Sequence, residues 1–66
     1  MSNKILVALE KKYESQIAEA TANINVYMDN PAGIGEHPDV VAAVDSQVTI
    51  MAEAEDKLES LRKNLL

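Results

Sequence analysis

The stretch Asn30-Pro31-Ala32-Gly33-Ile34-Gly35-Glu36-His37-Pro38 decides the fold of this chain. It contains both prolines and both glycines of the 66 residues and separates two flanks of nearly equal length. Proline disfavours helix at the residue before it, and glycine adopts positive φ angles without steric cost. Because neither flank contains a helix breaker, the sequence predicts an all-α fold, a two-helix antiparallel hairpin with one turn at residues 30–37.

The turn is expected to be structural. We assign it to Pro31, Gly33, Ile34, Gly35 and Pro38. Pro31 ends the first helix, the glycines supply positive φ, and Ile34 folds back as an apolar plug over the end of the bundle. Pro38 suits the first position of the second helix, where no N–H is needed. The same missing N–H argues against a phosphate-binding loop, because such loops bind phosphate through free N–H groups at a helix N-terminus. His37 is expected to cap the second helix or to lie in the turn.

Both flanks have the periodicity of amphipathic helices. The first predicts a helix from about residue 3 to about residue 29, with Ser2 as N-cap and an apolar arc about 140° wide. Its remaining surface is expected to be Lys4, Lys11, Lys12, Ser15, Glu19 and Asn23. The second predicts a helix at about 38–65, with Asp39 at the positive end of the helix dipole. Its apolar arc approaches about 180°, which is more than one neighbouring helix can cover.

Two such arcs predict self-association. If the turn is centred near residue 34, facing residues have numbers that sum to about 68, which pairs Ile24 with Val44 and Ile17 with Met51. One side of the hairpin then stays uncovered, and two hairpins packed face to face would form a four-helix bundle. The predicted oligomer interface consists of Leu6, Tyr13, Ile17, Ile24, Val44, Val48, Met51, Leu58 and Leu61.

A few polar residues fall within the apolar arcs: Glu10, Gln47, Glu55 and Arg62. One interpretation places them at the rim, with packed aliphatic stems and solvated heads. The alternative is that Gln47, or a Glu10–Arg62 pair, fixes the register and subunit orientation, as single polar groups do in coiled coils.

Composition excludes several classes of protein. The chain has no Cys and one His, which excludes disulfides and thiolate sites and disfavours an imidazole metal site. A single domain over residues 1–66 is small, so a partner subunit is its remaining source of stability. The net charge of −5 disfavours nucleic acid as a partner. Apolar runs are far shorter than the roughly 20 residues of a membrane span, and we expect a cytoplasmic protein without a secretory signal.

One acidic motif raises the question of catalysis. Glu53-Ala54-Glu55-Asp56 has the E-x-x-D spacing found in all-α nucleotide pyrophosphohydrolases, which hold Mg²⁺ with several carboxylates. Those enzymes need a second acidic cluster on another helix, where this chain offers only Glu10 and Glu14. A solvated acidic face is the better interpretation. We therefore expect no catalytic residues, no metal and no cofactor.

The segments 29–40 and 52–58, DNPAGIGEHPDV and AEAEDKL, together resemble short proteins predicted from tailed-phage genomes, marine ones in particular. The resemblance implies a viral origin, with the host cytoplasm as location, and brings no activity with it. In size and architecture alone the chain is also similar to the plasmid RNA-binding hairpin dimer Rop, which supports a dimeric bundle.

The sequence favours a structural or interaction protein: a self-associating accessory or adaptor protein that binds another protein and has no catalytic activity. The first alternative is a Rop-like regulator that binds nucleic acid through Lys4, Lys11 and Lys12 of two juxtaposed copies. The second is a Mg²⁺-dependent nucleotide hydrolase that uses Glu53.

Overall fold

The fold is a hairpin of two long helices. The structure, a computed structural model, describes residues 3–30 and 39–66. Helix α1 spans Lys4–Asp29 and helix α2 spans Val40–Asn64, and the two pack along their length in a body of 52 × 15 × 14 Å. No strand occurs in these two ranges. The predicted all-α hairpin is therefore confirmed, whereas the five turn residues Pro31, Gly33, Ile34, Gly35 and Pro38 lie outside the described ranges, as does His37.

Both helices begin at a side-chain cap. Asn3 Oδ1 accepts hydrogen bonds from the N–H groups of Ile5 (3.0 Å) and Leu6 (3.2 Å), so Asn3 is the N-cap and the prediction of Ser2 is wrong. Asp39 Oδ1 accepts from the N–H of Ala42 at 2.9 Å. Helix α2 therefore begins at Val40, two residues after the predicted start at Pro38, because Asp39 serves as cap rather than as first-turn residue.

The core of the hairpin is small. Among the described residues, four apolar side chains are buried: Ala20, Ala54, Leu58 and Leu61. Ala20 and Ala54 are each only 1% exposed. A buried alanine leaves little room between two helices, so the helix backbones approach closely where these residues lie. The two buried leucines lie on α2 toward the free ends of the hairpin.

The register differs from the predicted one. Side chains that meet across the hairpin include Asn23 with Gln47, Thr21 with Met51, and Glu10 with Arg62. Their residue numbers sum to 70 or 72, whereas the sequence analysis assumed about 68. Side chains on a helix lean toward its N-terminus, so each covers a level about one residue before its own Cα. In an antiparallel pair this lean adds about two to the sum, which accounts for the sum of 70 and for half of the difference at the pairs that sum to 72.

Candidate interaction surface

One long side of the hairpin, which we call the back face, is crossed by polar contacts. Asn23 Nδ2 donates a hydrogen bond to Gln47 Oε1 at 3.1 Å in a partly buried position. Toward the free ends, the Lys57 ammonium lies 5.8 Å from the centre of the Tyr13 ring, within the range of a cation–π interaction. These two contacts join α1 to α2 on this side, and a groove lies beside each of them.

The opposite long side, the front face, has a different character. Its α2 stripe runs through Val41, Val44, Val48, Met51, Glu55, Glu59 and Arg62, spaced three or four residues apart. Its α1 stripe runs through Glu10, Glu14, Ile17, Thr21 and Met28. The hydroxyl of Thr21 lies 3.9 Å from the Met51 sulfur across the front face.

The half of the front face nearest the turn is apolar and exposed. Met28, Val41, Val44 and Val48, which we call the turn-end patch, line a groove together with Val40 and Asp45. The exposed fractions are 65% for Met28, 80% for Val41 and 45% for Val48. Large apolar side chains this exposed and this close together form a contiguous patch, which is a mark of an interaction site.

The other half of the front face is charged. Arg62 Nε donates to Glu10 Oε2 at 3.0 Å, with side chains 52% and 25% exposed. A second groove beside this ion pair is lined by Ile17, Glu55, Leu58, Glu59, Arg62 and Lys63. The front face is thus divided along its length into the turn-end patch and this charged half.

The structure places the nine predicted interface residues in three settings. Leu58 and Leu61 are buried between the helices of one chain, so they belong to the hairpin's own core and have little surface left for a second copy. Val48 is exposed in the turn-end patch. The other six are half-buried along the hairpin interface: Leu6, Tyr13, Ile17, Ile24, Val44 and Met51.

Sequence reasoning misplaced several residues that define the surface. Met28 belongs to the apolar arc of α1, yet it is largely exposed. Val41 belongs to the apolar arc of α2 and is the most exposed large apolar residue of the patch. Asn23 was assigned to the solvated side of α1, yet it is half-buried and bonded to Gln47. The pairing of Asn23 with Gln47 was detectable only from a correct register.

The polar residues of the arcs divide between the two interpretations. Gln47 and Glu10 are half-buried and each contacts the other helix, as expected of residues that fix the register. Glu55 is exposed and lies at the rim. Arg62 combines both settings, since its side chain is half exposed while its guanidinium bonds Glu10.

The residues on which the two alternative functions depend are dispersed over the surface. Glu53 and Asp56 are exposed, and no group of three His, Cys, Asp or Glu side chains is arranged to hold a metal within residues 3–30 and 39–66. Lys4, Lys11 and Lys12 are all exposed on α1. Neither α1 nor α2 is both long enough and apolar enough to cross a lipid bilayer.

Comparison of the chain with protein-family models, with curated proteins and with solved structures gives no match.

Proposed function

We propose that this chain is a small structural or interaction protein that self-associates through its front face and acts as an accessory or adaptor for another protein, without catalytic activity of its own. The observation that carries the proposal is the turn-end patch, whose apolar side chains the hairpin leaves in water. A second copy of the chain is the partner that can cover the patch with an identical apolar surface.

The accessible surface of the chain supports a missing partner. It amounts to 4970 Å², against about 4,100 Å² expected for a compact monomer of 7.2 kDa. The elongated shape of the hairpin accounts for part of this excess, and a second copy on the front face would reduce the exposed area per chain.

The rest of the surface suits contact with another protein. The side of α2 that faces away from α1 carries exposed acidic residues, among them Glu53 and Asp56. In a dimer of hairpins this side stays outward on both copies, so the assembly would present two identical acidic surfaces. On the resemblance of residues 29–40 and 52–58 to tailed-phage proteins, we place the protein in the cytoplasm of an infected host.

The test exploits two neighbouring residues of α2. Val41 is exposed in the hairpin, so Val41→Glu leaves the hairpin intact but puts a charge into each turn-end patch. The control, Ala42→Glu, adds the same charge at an exposed position on the outward side of the same helical turn. Loss of two buried valines and the cost of two desolvated carboxylates should weaken the dimer at least about 100-fold, or about 3 kcal/mol.

The measurement is the melting temperature by circular dichroism over a 100-fold range of protein concentration. Wild type and Ala42→Glu should melt at temperatures that rise with concentration, because folding is coupled to association. Val41→Glu should melt at a lower, concentration-independent temperature. Identical behaviour of the two variants would contradict the use of the front face, and a concentration-independent wild type would contradict self-association altogether.

A further inference from the structure

The front face is polarised along its length, and this polarity bears on how two copies meet. Apolar side chains occupy the half next to the turn, where Met28, Val41 and Val48 are exposed. The half next to the free ends carries Glu10, Glu55, Glu59 and Arg62. The large apolar side chains exposed toward the free ends are Ile5, Val7, Leu65 and Leu66. Two front faces can meet with turns at the same end or at opposite ends.

We infer that two copies associate with their turns at the same end, about a two-fold axis parallel to the helices, so that the two turn-end patches cover each other. The inference rests on the self-association proposed above and specifies its geometry. It assigns the partner as a second copy of this chain and the contact as patch on patch. Each α1 then lies beside the partner's α2.

The arrangement with turns at opposite ends is disfavoured by the cost of removing water from charged side chains. With turns at opposite ends, each turn-end patch would cover the partner's charged half and remove water from its carboxylates and guanidinium. Charged groups lose several kcal/mol when they are buried against apolar side chains without new partners. The valines and Met28 offer no hydrogen-bonding groups, and the carboxylate of Asp45, which also lines the groove, can only accept, so the partner's carboxylates find no donor there.

The same-end arrangement gives the charged groups suitable neighbours. Glu10 and Arg62 already face each other across α1 and α2 of one chain. Because the same-end dimer places α1 antiparallel to the partner's α2, it brings Glu10 toward the partner's Arg62 at a similar register. Each copy thereby keeps its own Glu10–Arg62 pair in water, with an opposite charge of the partner on the facing side of the gap.

The charged half also limits how closely the free ends approach. Its carboxylates at Glu10, Glu14, Glu55 and Glu59 outnumber the cations at Arg62 and Lys63. Two such halves repel each other at low ionic strength, so salt should tighten a same-end dimer by screening. The attraction therefore comes from the turn-end patches, while the free ends stay solvated.

The experiment measures distances between spin labels in the full chain, which has no native Cys to remove. Ala42→Cys and Ser60→Cys place labels on the same outward side of α2, because eighteen residues make five helical turns. Both positions are exposed, and they lie about 27 Å apart along the axis. Double electron–electron resonance then gives label distances between copies, with helicity checked by circular dichroism.

The order of the distances decides the arrangement. With turns at the same end, the 42–42 and 60–60 distances should be nearly equal, and both should be shorter than the 42–60 distance measured in a mixture of the two singly labelled chains. A 42–60 distance shorter than both same-site distances would overturn the inference and leave self-association standing. Absence of any dipolar coupling between copies would overturn both.

Discussion

Ala54→Leu is the substitution that most directly probes the close approach of the two helices. Ala54 and Ala20 are each 1% exposed, so no space remains for three additional carbon atoms without displacing a helix. Overpacking of a core costs about 1–3 kcal/mol. In a domain of this size each kcal/mol shifts the melting temperature by roughly 4–8 °C, so a fall of about 5–20 °C is expected.

The control for this substitution is Ala52→Leu. Ala52 lies two residues away on the same helix but is exposed, and alanine and leucine have nearly equal helix propensities. Thermal unfolding followed by circular dichroism at one fixed protein concentration compares the two variants. If Ala54→Leu melts at the temperature of Ala52→Leu, the helices are not held close at this position and the packing described above is wrong.

Three further predictions concern contacts that the hairpin makes. Asn23→Ala should destabilise the fold by about 1 kcal/mol, because Gln47 loses its partner in a partly buried site. The control Asn25→Ala, at an exposed position, should change the stability little, and urea denaturation compares the two variants. Equal midpoints would contradict the cross-helix hydrogen bond. Asp39→Ala should lower the free energy of unfolding by about 1 kcal/mol, because α2 loses its N-cap, whereas Asp39→Asn should retain most of that stability. An unchanged urea midpoint for Asp39→Ala would contradict the capping role of Asp39. Arg62→Gln should lower the free energy of unfolding by less than about 1 kcal/mol, because the ion pair with Glu10 is partly solvated. The difference in stability between Arg62→Gln and wild type should become smaller in high salt. A loss of several kcal/mol would show that the pair is a main determinant of the fold.

The sequence contains strong information on the helices and weak information on their register. Periodicity and the cluster of glycine and proline predicted two helices with ends within about two residues of those in the structure. The cap of α1 was misjudged by one position, because Ser2 and Asn3 are adjacent residues of similar capping ability. The start of α2 was misjudged by two, because Asp39 was assigned to the first turn although it is the cap. Register depends on the lean of side chains toward each helix N-terminus, which a count from the middle of the turn does not include.

The sequence predicted that an apolar surface stays uncovered, but not which residues form it. An apolar arc too wide for one neighbour is visible in the sequence, but which edge of it stays exposed depends on the rotation of each helix about its own axis. That rotation turned Met28 and Val41 outward and Leu61 inward. It also brought Asn23 into contact with Gln47 on the back face, and it left the turn-end patch exposed on the front face.

Sedimentation equilibrium of the unmodified chain at micromolar concentration tests the central claim most directly. Self-association through the front face predicts a species of twice the 7.2 kDa chain mass, in equilibrium with monomer as the concentration falls. A fully helical protein that sediments at 7.2 kDa throughout this range would contradict the account, because the turn-end patch would then be stable in water without a second copy.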